Sequence, residues 1–229
     1  MLSVVIPALN AAAALPKTLA SVAEADELVV VDGGSSDGTV AAAEAFGARV
    51  IAAPKGRGRQ LAAGVEAATG DWLLLLHADT RLETGWHRCL FLSPPLGAKR
   101  IAEVGGPRAD VAHYFRFSLD TNDARARRLE RIVAWRCRVL ALPYGDQGLL
   151  IHRDLLRAVG GIRPLPLMED VDLVCRLGRH RLAALDVAAV TSAEKWQRDG
   201  WYRRSLRNLL CLSLYFAGVP PRLIARFYG

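Results

Sequence analysis

No Cys-x-x-Cys pair occurs among Cys89, Cys137, Cys175 and Cys211, and their wide spacing offers neither a zinc site nor a disulfide framework. They read as separate buried thiols. The opening Met1-Leu2-Ser3-Val4-Val5-Ile6-Pro7 is too short for a secretory signal and lacks its basic lead, so it reads as a first strand and a cytoplasmic protein is expected. The most apolar part of the tail, residues 205–216, falls well short of the roughly 20 residues that span a bilayer. Internal repeats and low-complexity linkers are absent as well. Two phosphate fingerprints are incomplete. Gly56-Arg57-Gly58-Arg59 lacks the third glycine of a dinucleotide loop and the Lys-Ser/Thr of a P-loop. Pro7-Ala8-Leu9-Asn10 is not the Gly-rich loop that a sugar nucleotidyltransferase needs after its first strand.

What remains is 229 residues with 52% hydrophobic content, enough for one good-sized core. The net charge of +7 admits anionic partners of several kinds: nucleic acid, a membrane surface or phosphorylated small molecules. Arginine concentrates between Arg125 and Arg138 and again beyond Lys195, where Asp199 is the only acid. No stacking aromatics interleave with these arginines in a recognisable module, so no nucleic acid is expected. The apolar tail helix either packs or lies on a membrane surface, and packing is the commoner outcome.

Strand and helix patterns alternate through the first 80 residues, as in parallel βα units. Strands are expected at Leu2 to Pro7, Glu27 to Asp32, Arg49 to Ala52 and Asp71 to Leu76. Helices are expected from about Leu15, from Asp37 to Phe46 and from Arg59 to Ala68. The middle, from Ser93 to Pro143, is interrupted by Pro94, Pro95, Gly97, Gly105, Gly106 and Pro107, and its strands cannot be ordered; an Arg-rich helix follows over Ala124 to Leu140. Beyond it the patterns give a strand at Gly148 to His152, helices at Asp154 to Val159 and Glu169 to Gly178, a late strand at Leu182 to Val187, and a tail helix ending before Pro220-Pro221.

The most informative stretch is Trp72-Leu73-Leu74-Leu75-Leu76-His77-Ala78-Asp79. Four consecutive leucines suit a strand covered on both faces, so its polar end opens at the carboxyl edge of a parallel sheet, where ligands bind in open α/β folds. A carboxylate there can hold Mg²⁺ or Mn²⁺ with water and diphosphate oxygens, although an Asp in a turn reads equally well. Asp32-Gly33-Gly34 offers a carboxylate and a tight turn ahead of a capped helix, suited to a base or ribose or simply to a good βα turn. Asn10, Asp32 and Asp79 then share one edge. Glu169 and Asp170 open a helix, which acids favour, and could also supply a general base to a hydroxyl. Gly145-Asp146-Gln147 precedes a strand, and Lys195-Trp196 offers either a cationic aromatic platform or an anchor.

Taken in order, Val4-Val5-Ile6-Pro7-Ala8-Leu9-Asn10, the Val30-Val31-Asp32-Gly33-Gly34 turn, the leucine strand with His77-Ala78-Asp79, Gly145-Asp146-Gln147, Met168-Glu169-Asp170 and Glu194-Lys195-Trp196 resemble the small bacterial-type family 2 glycosyltransferases. The resemblance spans almost the whole chain. It implies a GT-A fold, a mixed but mainly parallel Rossmann-like α/β sheet with helices on both faces. It also implies one domain with a nucleotide-binding half (1–92), an acceptor-side half (93–196) and a helical tail (197–229). By this resemblance Asp170 is the catalytic base, supported by Glu169. The donor, a nucleoside-diphosphate sugar with UDP as default, meets Pro7, Ala8, Asn10, Asp32, Gly33, Arg57, Arg59, His77, Ala78 and Asp79. Asp79 holds the Mg²⁺ or Mn²⁺. Gly145, Asp146, Gln147, Lys195 and Trp196 face the acceptor or diphosphate. The implied reaction is inverting sugar transfer to an acceptor hydroxyl, in the cytoplasm or against the inner face of the membrane. A catalytically silent nucleotide-sugar or anionic-surface module and a sugar nucleotidyltransferase are the alternatives. Three departures stand out. His77 replaces the first Asp of the D-x-D pair, Gly33 stands where many relatives carry an Asp against uracil, and Lys195 replaces an Arg.

Overall fold

The computed structural model describes residues 1–88 and 108–228. Cys89 and the Pro94, Pro95, Gly97, Gly105, Gly106 and Pro107 interruptions lie outside the described residues. Eight strands among the described residues form one sheet: β1 (Leu2–Ala8), β2 (Glu27–Asp32), β3 (Arg49–Ala52), β4 (Trp72–Leu75), β5 (Thr80–Leu82), β6 (Ala112–Leu119), β7 (Leu149–His152) and β8 (Leu182–Thr191). Their spatial order is β3-β2-β1-β4-β7-β6-β8-β5. The first four pair in parallel, as does β6 with β8, while β7 is antiparallel to both its neighbours and β5 is antiparallel to β8.

The helices are α1 (Leu15–Ser21), α2 (Thr39–Ala45), α3 (Arg57–Ala67), α4 (Ala124–Leu140), α5 (Arg153–Ala158), α6 (Glu169–Leu177), α7 (Glu194–Asp199), α8 (Trp201–Phe216) and α9 (Pro221–Tyr228). Strand period sorts the core. Val4, Ile6, Val30, Leu74 and Leu76 pack with Leu15, Leu19 and Ala43 on one face. Val5, Val29, Val31, Leu73 and Leu75 pack with Leu61, Leu155 and Leu173 on the other. The leucine run is therefore buried on both sides, as its composition requires. Gly64 lets α3 sit close to the sheet, since a Cβ there would meet Val5 Cγ1 at 2.3 Å and Val31 Cγ2 at 2.7 Å.

Two sequence expectations need correction. The late strand runs on to Thr191, because Ala188, Ala189 and Val190 continue the pairing with Arg116, Phe117 and Ser118. The tail helix α8 ends at Phe216, before Pro220-Pro221 as expected, and Pro221 opens the further helix α9, a position where its missing N–H costs nothing. Cys175 is exposed, while Cys137 and Cys211 are buried free thiols.

His113 on β6 is 6% exposed, its Nδ1 is buried without a hydrogen-bond partner, and burial pushes its pKa down to about 4. In the unfolded chain it protonates near pH 6.5. Between those values the unfolded chain binds more protons, so this contribution to stability is complete above about pH 6.5 and is lost as pH falls toward 4, by on the order of 3 kcal/mol in all. Urea unfolding at pH 7.5 and pH 5 should show a clear loss for the wild type and a smaller one for His113→Leu. Parallel losses would mean that His113 is not the group responsible.

Candidate active site

Strand polarity assembles the site. β1, β2 and β4 all end at one edge of the sheet. Because β7 runs antiparallel to β4 with Leu149 opposite Leu75, the residues before β7 arrive where β4 ends. Asp146 thereby meets His77, with His77 Nδ1 2.6 Å from Asp146 Oδ1. β5 pairs with β8 through Thr80 and Thr191, so the segment after β8 returns to the same place and Lys195 Nζ donates to Asp79 Oδ2 at 2.6 Å. Ligand atoms of His77, Asp79 and Asp146 lie within 4.8 Å of one another. Two carboxylates and an imidazole at that spacing suit a hard divalent cation. Burial raises the Asp146 pKa, but the His77 hydrogen bond and the charges of His77, Arg57 and Lys195 override it and hold the carboxyl well below the usual carboxylate range.

The second cluster lies at the start of α6. Arg57, opening α3, pairs with Glu169 and donates from Nη2 to Asp170 Oδ2 at 3.0 Å. Gly145 N donates to the same oxygen at 2.8 Å, and Val171 N donates to Asp170 Oδ1 at 2.8 Å. Burial lowers the Arg57 pKa, but Glu169 and Asp170 outweigh it and hold the guanidinium firmly charged. Glu169 is 1% exposed and its Oε2 is buried with no partner, an open acceptor inside the site. The close approach needs Gly58: a Cβ there would lie 2.5 Å from Leu165 O. Asp172 anchors the loop beneath by pairing with Arg163 at 2.9 Å and Arg176 at 2.8 Å.

At the far end of the edge, the Asp32 pKa is raised by burial but lowered by more through hydrogen bonds from Ser35 Oγ, Ser35 N and Gly34 N. Asn10, with a left-handed φ of 49°, accepts from Ser36 N at 2.9 Å and donates its own N–H to Ser35 Oγ at 2.9 Å, so the β1 and β2 loops are stitched together. Gln60, which sequence reasoning missed, reaches from α3 to donate to Ala8 O and Val31 O, both at 2.8 Å. Gly33 fits against that amide, which a Cβ would meet at 3.0 Å. Pro7 and Ala8 are buried at the β1 end, and Ala78 O accepts from Thr18 Oγ1 at 2.9 Å.

The structure brings together Arg57, His77, Asp79, Gly145, Asp146, Glu169, Asp170 and Lys195. Arg59 is exposed at the first turn of α3. Two of the expected site residues lie deeper in the fold. Trp196 is 7% exposed and stacks on Trp201 at 6.0 Å in the core, which favours the anchoring alternative for this residue. Gln147 is 3% exposed, donates to Phe115 O at 3.0 Å and accepts from Arg136 Nη2 at 3.1 Å, which uses its amide inside the protein. Arg57, read from sequence as a diphosphate cation, bridges the two acids of α6.

A mainly parallel sheet joined to a mixed half, with carboxylates along the shared edge, defines the GT-A class of fold. Within that class the model of glycosyl transferase family 2 matches residues 3–90. A PGL/p-HBAD biosynthesis glycosyltransferase of Mycobacterium tuberculosis is 44% identical over 93 residues, a match covering 36% of this chain and 36% of that protein. An uncharacterized glycosyltransferase of Mycobacterium bovis is 37% identical over 84 residues, covering 36% and 38%. The matches thus span little more than a third of these relatives. Glucosyl-3-phosphoglycerate synthase from Mycobacterium tuberculosis, solved with Mn²⁺ and UDP-glucose, superposes with a TM-score of 0.63 at 22% identity over 96% of this chain and 80% of that one.

Proposed function

We propose that the chain transfers a sugar from a nucleoside-diphosphate sugar to an acceptor hydroxyl with inversion at the anomeric carbon. The observation that carries this reading is the convergence of Asp32, the His77/Asp79/Asp146 cluster and Asp170 on one sheet edge. Residues 1–92 serve the donor and residues 93–196 mainly the acceptor, with the helical tail beyond them. The Asp32 loop takes the nucleoside, and UDP is the default because the Mycobacterium tuberculosis synthase was solved with UDP-glucose. His77, Asp79 and Asp146 would hold Mg²⁺ or Mn²⁺, which when bound supplies positive charge to the departing diphosphate. Lys195 lies next to the same place and can turn from Asp79 to a diphosphate oxygen.

Asp170 takes the proton of the acceptor hydroxyl as its oxygen attacks. A carboxylate has about four acceptor sites, and three are used by Arg57, Gly145 N and Val171 N, which leaves one for the acceptor and fixes its direction. Glu169 Oε2 supplies a further acceptor nearby. Most of the barrier reduction would come from charge stabilisation of the leaving group and from alignment of the two reactants. The protein acts in the cytoplasm.

Calorimetric titration of UDP, GDP, ADP and TDP into the protein with and without Mn²⁺ tests the donor half. One diphosphate should bind at least tenfold more tightly with Mn²⁺. No binding by any of them would sink the transferase reading, and binding without turnover on any sugar derivative of that nucleotide would favour a silent module.

A further inference from the structure

Two segments carry the positive charge of the chain. Residues 124–140 hold six arginines against one acid, and residues 194–228 hold seven Lys/Arg against two acids, together more than the net +7 of the whole. Both are helical and both leave large apolar side chains in solvent. α4 turns Ala126, Val133 and Cys137 into the core. Its opposite side presents Ile132 and Trp135, 55% and 51% exposed, between Arg128, Arg131 and Arg138. α8 buries Trp201, Cys211 and Leu212 and exposes Tyr202, Leu206 and Leu209 at 71%, 67% and 59%. α9, packed against α8, turns Ile224 fully inward and exposes Phe227 at 69% beside Arg222 and Arg226. α4 and α8 adjoin: Val133, Cys137 and Trp201 share one core cluster, and the Arg125 guanidinium lies 5.7 Å from the Trp201 ring centre.

We propose that the outer faces of α8 and α9, with that of α4 beside them, form a docking surface for an anionic phospholipid bilayer. Tryptophan, phenylalanine and leucine flanked by arginine is the composition of a helix that lies in the headgroup region. Exposed apolar patches of this kind mark interaction sites. The charge selects the occupant. A two-fold contact between copies would set these arginines against one another with almost no acids to pair them. Lipid phosphates neutralise them while the apolar side chains enter the acyl boundary. No described helix is long and apolar enough to cross a membrane, so the contact is made at the surface. This inference does not rest on the transferase reading.

Flotation of the full chain with vesicles tests it. Binding is expected to phosphatidylcholine vesicles containing 30% phosphatidylglycerol and not to pure phosphatidylcholine, and it should be reversed by 0.5 M NaCl. Arg222→Gln/Arg226→Gln and Leu206→Ser/Leu209→Ser should each weaken partition about tenfold or more, with unchanged thermal unfolding and nucleotide binding. Trp135→Ser/Arg131→Gln should weaken it too, and unchanged partition there would remove α4 from the surface. No binding to anionic vesicles, equal binding to neutral ones, or a dimer in light scattering that these variants dissolve would overturn the proposal.

Discussion

Asp170→Asn should lower kcat/KM for sugar transfer about a thousandfold or more while leaving nucleoside-diphosphate affinity within threefold of wild type. The size follows from the general-base contribution, typically 10²–10⁴-fold, and the selectivity from geometry. Asp170 lies at the start of α6, held by Gly145 N and Arg57, whereas the proposed nucleoside end of the edge is built by Asp32, Ser35 and Asn10. An amide keeps the shape but cannot take the acceptor proton. It also turns an NH₂ toward Arg57 or Gly145, so thermal unfolding must be measured alongside to separate chemistry from a disturbed loop. Asp170→Glu supplies the second arm: it keeps the charge and moves it, so activity should fall less than in Asn. Proton NMR of the product completes the test, since a single displacement assisted by Asp170 gives the anomer opposite to that of the donor. Retention of configuration, or wild-type turnover in Asp170→Asn, would remove Asp170 from this role.

The parallel half was legible because its strands are buried on both faces and show themselves as short apolar runs. β2 and β3 fall on the expected residues, β1 runs one residue longer at its end, and β4 is one residue shorter at each end. β6 was not legible: Ala112-His113-Tyr114-Phe115-Arg116-Phe117 mixes a buried imidazole with an exposed arginine, and its partner β8 lies over sixty residues later. β5, only three residues long, has no pattern of its own and exists because β8 offers an edge. Those elements decide the site. Asp79 and Asp32 could be found from strand ends alone. The Asp146 contact to His77 requires β7 to run antiparallel to β4, and the Lys195 contact to Asp79 requires the β5 and β8 pairing. Arg57 is 112 positions from Glu169, and no local signal ties them. Local chemistry was readable, but partnership was not, because pairing across the mixed half is a tertiary choice that propensity does not encode.

Asp79→Ala and Lys195→Met should move metal binding in opposite directions. Asp79 contributes one of two carboxylates in the cluster, and with His77 in place of a first Asp there is no spare anionic ligand on that turn. Its loss should abolish Mn²⁺ binding by the free protein and weaken Mn²⁺-dependent diphosphate binding about a hundredfold. Lys195 does the reverse in the free protein. Its ammonium lies 2.6 Å from Asp79 Oδ2 and must give way, or be endured as a like charge, when a divalent cation arrives. The Lys195 side chain is 54% exposed, so solvent screens the pair and its strength is that of a surface ion pair, at most about 1 kcal/mol. Removing the charge with an unbranched apolar stem should therefore tighten Mn²⁺ binding a few fold, to about tenfold once like-charge repulsion is included. With the nucleoside diphosphate present the order reverses, because Lys195 can pair with the diphosphate, and Lys195→Met should then bind the complex more weakly than wild type. Electron paramagnetic resonance of free Mn²⁺ measures both states without any turnover. Weaker Mn²⁺ binding by Lys195→Met in the absence of nucleotide would make the lysine an organiser of the site and not a competitor for it. Unaltered Mn²⁺ binding by Asp79→Ala would move the metal away from this cluster altogether.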